Sequence, residues 1–218
     1  MSLRKLASLA AAFFLAAAGA AFAQAPFRVI SPAQPTEPDK VEVLEFFWYA
    51  CPHCYHLEPV LNAWIKGIPK DVVFKRVPGT SGGWQSLALV YYTIEAMGLQ
   101  DQLHTKIFEA IHKDNINLGN KKMRDEWLTK QGVDPKKYDE VEKSFSVSTK
   151  MARAKQLNEI YKIDSVPQII VGGKFLVNAE SAGGQERMIP AVDAAIAAAR
   201  REKMAAAPAP VPAGTAKR

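Results

Sequence analysis

The chain has 218 residues, a formal net charge of +6 at pH 7 and a hydrophobic content of 48%. This length and apolar content are enough to bury a globular core, which excludes a wholly disordered protein. The basic balance is mild and no dense Lys/Arg block accompanies it, so the sequence gives no case for nucleic acid binding.

Residues 1–23 are typical of a secretory signal peptide. Arg4 and Lys5 precede an apolar segment over 6–18, and Ala21-Phe22-Ala23 forms a small-x-small cleavage site. An uncleaved anchor is the alternative, but the apolar segment is short for a bilayer core, which takes about 20 residues. We therefore expect a soluble exported protein in an oxidising compartment, for which the bacterial periplasm fits.

The next part of the chain predicts two buried strands with a helix between them. A short strand is possible over 27–30, and the nearly continuous apolar run 40–49 is typical of a strand buried on both faces of a mostly parallel sheet. Glu45 is the exception within that run. A helix should begin at Pro52, and a second buried strand is expected over 72–77.

Strand signals then disappear, and residues 83–162 are predicted to form a helical insertion. Asp134 followed by Pro135 is typical of a helix start, as an N-cap residue and a proline at the first position. Helical periodicity covers the remaining segments 84–97, 99–113, 121–131 and 146–161.

The strand pattern returns after the insertion. The runs 168–171 and 174–177 predict a β-hairpin with a two-residue turn, Gly172-Gly173. A final helix is expected over 184–203, and the Ala/Pro-rich residues 205–218 are predicted to be a disordered tail.

Cys51-Pro52-His53-Cys54 contains the only two cysteines of the chain. Because Pro52 suits the first position of a helix, the Cys51 sulfur should face unpaired backbone N–H groups and the positive end of the helix dipole. These groups stabilise a thiolate over a thiol, so the motif predicts a redox site.

Three other uses of the pair are less well supported. A structural disulfide across so short a loop would remove little chain entropy from the unfolded state. A zinc site built from the cysteines with His53 and His56 lacks a second cysteine pair. A c-type haem needs histidine directly after Cys54, where Tyr55 stands. The sequence therefore predicts no metal.

The order of elements, together with the motifs 43–47, 51–55, Val166-Pro167 and 172–175, resembles the DsbA family of periplasmic thiol:disulfide oxidoreductases in the thioredoxin superfamily. The resemblance covers almost all of the chain between signal peptide and tail. It implies an α/β fold, namely a thioredoxin fold with an inserted helical domain. The thioredoxin-like domain would be discontinuous, over 24–82 and 163–204, and the insertion would span 83–162.

The resemblance also implies roles for individual residues. Cys51 would be the exposed nucleophile and Cys54 the shielded partner that resolves mixed disulfides. His53 would stabilise the Cys51 thiolate, unless it is simply a solvated surface histidine. Glu45 would relay protons to or from Cys54, and its alternative is an edge charge paired with a lysine.

Substrate binding is expected at the loop that contains Pro167. The family resemblance implies a cis bond before this proline, with Val166 backbone groups beside Cys51 and able to pair with an extended peptide. Pro52 completes the expected substrate-binding set.

The implied activity is donation of the Cys51–Cys54 disulfide to reduced, unfolded exported proteins. The pair would be reoxidised by a membrane quinone reductase of the DsbB type, with no separate cofactor, and we expect a monomer. A disulfide isomerase or reductase is one alternative, although too few residues precede the first long strand for an added dimerisation domain. A non-catalytic peptide-binding chaperone would need neither cysteine, and a related glutathione-dependent transferase would normally lack the second.

Overall fold

Five strands form one mixed sheet in the computed structural model, which describes residues 25–206. The signal peptide predicted for 1–23 and all but the first two residues of the predicted tail lie outside this range. The strands are β1 (Arg28–Val29), β2 (Val41–Phe47), β3 (Val72–Pro78), β4 (Gln168–Val171) and β5 (Phe175–Val177). Their order across the sheet is β1-β5-β4-β2-β3, with β2 and β3 parallel and the other pairs antiparallel.

Helices occupy the connections, as the periodicity predicted. The segment between β3 and β4 contains helices and no strand, and its division from the rest as a domain stays a prediction. The α-helices are α1 (Pro52–Ile65), α2 (Gln85–Ala96), α3 (Gln100–His112), α4 (Lys121–Lys130), α5 (Pro135–Glu142), α6 (Phe145–Ile160), α7 (Ala179–Ala182) and α8 (Met188–Ala206). Within residues 25–206, none of them combines the length and the apolar character that crossing a membrane requires.

The central strand β2 contributes to two buried clusters. Val41 and Val43 pack in one cluster with Leu57 and Leu61 of α1 and with apolar residues of α8. Leu44 and its neighbours belong to a second cluster that is built largely by the helices of the insertion. Because both faces of β2 are covered, its sequence is nearly continuously apolar.

Two boundaries near the C-terminal end differ from the prediction. The hairpin ladder pairs Val171 with Phe175, so the turn includes Lys174 and has three residues rather than two. The expected helix over 184–203 is instead a 3₁₀ turn over Gln185–Arg187 followed by α8, which continues through Ala206 into the first two residues of the predicted tail. The short helix α7 before this turn was not predicted.

Local capping explains the break between α7 and α8. Asn178 and Ser181 form a reciprocal capping box that starts α7. Gly183 (φ 78°) and Gly184 (φ 144°) then adopt positive φ values that end the helix and redirect the chain. This turn brings Gln185 against the first turn of α1.

Candidate active site

The two cysteines lie where β2 leads into α1. The Cys51 N–H donates to the Trp48 carbonyl at 3.0 Å, and Cys51 is the N-cap residue of α1 with Pro52 at its first position. Its sulfur is therefore at the positive end of the helix, as the sequence predicted. Pro52 and His53 are exposed in the first turn.

Cys51 is less accessible than expected. It is 8% exposed, and Cys54 is 0% exposed. The Val166 carbonyl accepts a hydrogen bond from the Cys51 thiol at 3.4 Å, and the Val166–Pro167 peptide bond is cis. The loop that contains Pro167 thus lies beside Cys51, as expected. Because its Val166 carbonyl contacts the sulfur, Cys51 is mostly buried, and the expectation of an exposed nucleophile was wrong.

The surroundings move the pKa values of the two thiols in opposite directions. The pKa of Cys51 falls from 9.0 to about 6, chiefly because the Cys54 thiol donates a hydrogen bond to its sulfur. Burial opposes this shift, while the backbone N–H groups of Cys54 and His53 and then the His53 charge add to it. Burial and the same hydrogen bond raise the pKa of Cys54 well above 9.0. Cys51 is therefore the thiolate at neutral pH.

Glu45 is buried beside this pair, with 1% of its surface exposed. Its partner is Arg76, the residue opposite it on β3, whose Nε donates to Glu45 Oε2 at 3.0 Å. The alternative of an edge charge paired with a lysine is wrong, because β2 is an interior strand and the cation is an arginine.

Arg76 is shared by a second carboxylate. Its Nη2 donates to both oxygens of Glu58 on α1, at 3.2 and 3.3 Å, and to Asn62 Oδ1 at 2.8 Å. His104 Nε2 lies 3.1 Å from Glu58 Oε1, and its Nδ1 lies 2.7 Å from the Tyr49 hydroxyl. One guanidinium thus holds two buried carboxyl groups.

The two carboxyl groups therefore have different proton affinities. Burial and the Glu58 charge raise the pKa of Glu45 to about 7, although Arg76 partly counteracts them. Burial also acts on Glu58, but His104, Arg76 and Asn62 together lower its pKa below 4.5. Glu45 is the carboxyl group that can gain or lose a proton near neutral pH.

Sequence reasoning missed the partners of Glu45. Arg76 lies in a predicted buried strand, and Glu58 and His104 lie at helix positions that face the core. In each case the sequence places a polar or charged residue where the periodicity of the element calls for an apolar one. That signal was used to single out Glu45 but not the other residues.

The helical insertion supports the loop before Cys51. His112 of α3 approaches the Tyr49 carbonyl with Nε2 at 2.8 Å, so this nitrogen carries the proton. The same ring stacks on Tyr55, with centroids 4.7 Å apart and planes 7° from parallel. The insertion thus fixes the backbone on both sides of the cysteine pair.

Two concave regions flank the site. A cavity of about 810 Å³ reaches Arg76, Asn62 and His104 from the side of the insertion. A smaller cleft of about 360 Å³ between α1 and the start of α8 is lined by His56, Leu57, Val60, Gln185, Glu186 and Ile189. Across residues 25–206, no group of three or more His, Cys, Asp or Glu side chains is arranged to hold a metal ion.

We expect Cys54→Ala to raise the pKa of Cys51 more than His53→Ala does. The Cys54 thiol donates directly to the Cys51 sulfur, and a hydrogen bond to a charged group is worth about 1.5–3 kcal/mol, or roughly one to two pKa units. Thiolate absorbance followed against pH measures both variants, with the exposed residue His56→Ala as the control. A larger rise in His53→Ala than in Cys54→Ala would contradict this order of causes.

We also expect the stability of the reduced protein to rise with pH relative to the oxidised protein. A depressed pKa stabilises the fold fully above the unfolded value and loses this effect as pH falls through the folded value. With a shift from 9.0 to about 6, ionisation of Cys51 contributes about 0.2 kcal/mol at pH 5.5 and about 3 kcal/mol at pH 8.5.

The cross-link opposes this effect, since closing a four-residue loop stabilises the oxidised form by about 2 kcal/mol in the chain-entropy treatment. The two forms should therefore exchange their order of stability near pH 7.5, to within about one pH unit. Denaturant unfolding of both forms from acid to mildly alkaline pH measures the difference. A difference that does not change with pH would show that Cys51 has an ordinary pKa.

Comparison with known proteins places this geometry in a family. The family described as "DSBA-like thioredoxin domain" matches residues 70–188. A protein named thiol:disulfide interchange protein DsbA from Azotobacter vinelandii is 42% identical over 158 residues, covering 72% of this chain and 74% of the relative. The protein of the same name from Bordetella parapertussis is 44% identical over 179 residues, covering 81% and 85%.

Solved structures agree with the sequence relatives. The crystal structure of Pseudomonas aeruginosa DsbA matches with a TM-score of 0.77 and 35% identity, covering 82% of this chain and 94% of that one. The oxidoreductase NmDsbA1 from N. meningitidis matches with a TM-score of 0.71 and 30% identity, covering 82% and 93%. The predicted thioredoxin fold with inserted helices is thereby confirmed, and the chain belongs to the DsbA-like thioredoxin family.

Proposed function

We propose that this chain is a thiol:disulfide oxidoreductase that donates the Cys51–Cys54 disulfide to reduced proteins. The observation that best supports this proposal is that the pKa values of the two thiols, which lie in one helical turn, are shifted in opposite directions. Cys51 has a pKa of about 6 at the helix N-terminus, and the buried Cys54 has a raised pKa. Stabilising the Cys51 thiolate stabilises the reduced protein, so the disulfide is passed on readily.

The reaction transfers two electrons from a substrate dithiol to the protein. A substrate thiolate attacks Cys51, the bond between Cys51 and Cys54 breaks, and Cys54 leaves and takes up a proton. The second substrate thiolate then attacks the substrate sulfur of the mixed disulfide and expels Cys51 as a thiolate. The low pKa of Cys51 makes it a good leaving group in this second step.

Glu45 is suited to supply the proton that Cys54 takes up. Its pKa of about 7 leaves a substantial protonated fraction at neutral pH, and its charge acts on the pKa of Cys54. In the reverse direction, when the disulfide is formed again, the same carboxylate would accept the proton. This assigns Glu45 the relay role that the family resemblance implied.

The substrate peptide would bind along the cis-proline loop beside Cys51. The Val166 carbonyl beside the Cys51 sulfur can pair with an extended peptide once the thiol no longer donates to it. Pro167 holds this loop in place, and Pro52 is exposed beside the sulfur. The cleft between α1 and α8 would then receive substrate side chains.

The physiological setting that we propose is the periplasm, with reduced, unfolded exported proteins as substrates. A membrane quinone reductase of the DsbB type would reoxidise the cysteine pair, and no cofactor besides the disulfide is needed. The signal peptide predicted for 1–23 and the names of the relatives support this setting. A non-catalytic peptide-binding chaperone and an isomerase or reductase are not favoured, because the relatives are named DsbA interchange proteins.

The test of the activity is stoichiometric oxidation of a peptide with two thiols by the oxidised protein. We expect the wild type to form the peptide disulfide and Cys51→Ser to lose the reaction. Cys54→Ala is mixed instead with the disulfide form of the peptide. Its Cys51 thiolate attacks that disulfide and releases one peptide thiolate, so a mixed disulfide should accumulate because Cys54 is not there to resolve it. Mass spectrometry of quenched samples identifies the species, and Gln156→Ala, at an exposed position of α6, serves as the control. Equal peptide oxidation by Cys51→Ser and wild type would refute the assignment.

Replacing Glu45 by glutamine should slow the step at Cys54. Glutamine keeps the shape but carries no proton, and losing a general acid or base costs about 10²-fold or more in rate. Rapid-mixing kinetics of peptide oxidation should show the slowing near neutral pH, with peptide affinity unchanged. Glu42→Gln, on the same strand and paired with Lys75 at the surface, is the matched control. A rate equal to wild type in Glu45→Gln would leave Glu45 with a structural role only.

A further inference from the structure

Gln185 makes two hydrogen bonds to the same active-site residue. Its Nε2 donates to the His53 backbone carbonyl at 2.7 Å, and its Oε1 lies 3.0 Å from His53 Nδ1. Gln185 lies in the 3₁₀ turn before α8 and is 132 positions away from His53 in the chain. A single amide therefore bridges this turn to both the backbone and the ring of His53.

The backbone bond fixes which way the amide points. A carbonyl oxygen only accepts hydrogen bonds, so the group that faces the His53 carbonyl has to be the amide NH₂. The amide oxygen then faces His53 Nδ1. Because this oxygen also only accepts, Nδ1 has to carry a proton whether the ring is neutral or charged.

The tautomer follows from this chain of donors and acceptors. In the neutral ring Nδ1 keeps its proton and Nε2 is left as the acceptor. Without a partner on Nδ1, nothing in the ring's hydrogen bonding would impose this form. Gln185 thus selects one of two neutral states and limits rotation of an otherwise exposed ring.

The backbone conformation of the turn before α8 places Gln185 against His53. Gly183 and Gly184 both have positive φ, and a Cβ on Gly184 would collide with the Glu186 carboxylate. At the φ of 144° a residue with a side chain would be strained, so glycine allows the turn that carries Gln185. The backbone conformation and the two hydrogen bonds specify the same arrangement.

We propose that Gln185 is a positioning residue, which holds His53 in the Nδ1–H tautomer and fixes its ring beside the cysteine pair, so that it tunes the reactivity of Cys51 through His53. This inference rests on the proposed oxidoreductase function. The physical link is the charge of the His53 ring, which contributes to stabilising the Cys51 thiolate.

The first measurement is the tautomer itself, read from the ¹⁵N chemical shifts of the His53 ring at a pH where imidazoles are neutral. We expect the Nδ1–H form in the wild type and a shift towards the Nε2–H form in Gln185→Leu. Gln185→Glu should keep the Nδ1–H form, because a carboxylate still accepts from Nδ1. Gln156→Leu, the same change at an exposed glutamine of α6, should leave the tautomer unchanged.

The second measurement is the reactivity of Cys51. Gln185→Leu should raise the pKa of Cys51 by about 0.5 unit and shift its equilibrium with glutathione about threefold towards the disulfide. In a His53→Ala background the same substitution should add nothing, because the effect passes through the ring.

Two results would overturn the proposal. One is an unchanged His53 tautomer in Gln185→Leu. The other is an equal rise in the pKa of Cys51 with and without the His53 ring, which would make Gln185 a purely structural contact between the turn and α1. Failure of the wild type to oxidise the reduced peptide would instead refute the proposed function, and the tautomer experiment is independent of that outcome.

Discussion

A single buried guanidinium organises the interior of this site. Arg76 holds Glu45 on the neighbouring strand and Glu58 on the following helix, and it occupies the only register position on β3 that faces Glu45. Removing one partner of a buried ionic group typically costs about 3–5 kcal/mol, since the others are left uncompensated. The packing of β2, β3 and α1 against one another therefore depends on this residue as well as on the apolar cluster around Leu57 and Leu61.

Because Glu45 and Glu58 share the Arg76 guanidinium, one of the two, Glu45, can hold a proton near neutral pH. Arg76 can fully compensate one negative charge, and His104 and Asn62 add their stabilisation to Glu58 only. Glu45 is left with burial and a neighbouring negative charge, so its pKa rises. The unequal supply of hydrogen-bond donors, rather than any difference between the two carboxyl groups, decides which one titrates near neutral pH.

The sequence predicted most of the fold because its local signals agreed with one another. The unbroken apolar run of β2, the Asp134-Pro135 start of α5 and the glycine hairpin were each visible along the chain. The contacts of Glu45 and His53 were not, because Arg76 and Gln185 are 31 and 132 positions away from them. Only strand register and the turn before α8 bring these pairs together, and periodicity carries no information about either.

The chemistry of the cysteine pair follows from one hydrogen bond seen from its two ends. Burial makes the Cys54 thiol harder to ionise, and so does the hydrogen bond by which it stabilises the Cys51 thiolate, so this contact moves the two pKa values apart. Forming the disulfide removes this bond together with the thiolate that the helix N-terminus stabilises. The protein thus loses favourable interactions when it is oxidised and regains them when a substrate reduces it, which favours the transfer of the disulfide to the substrate.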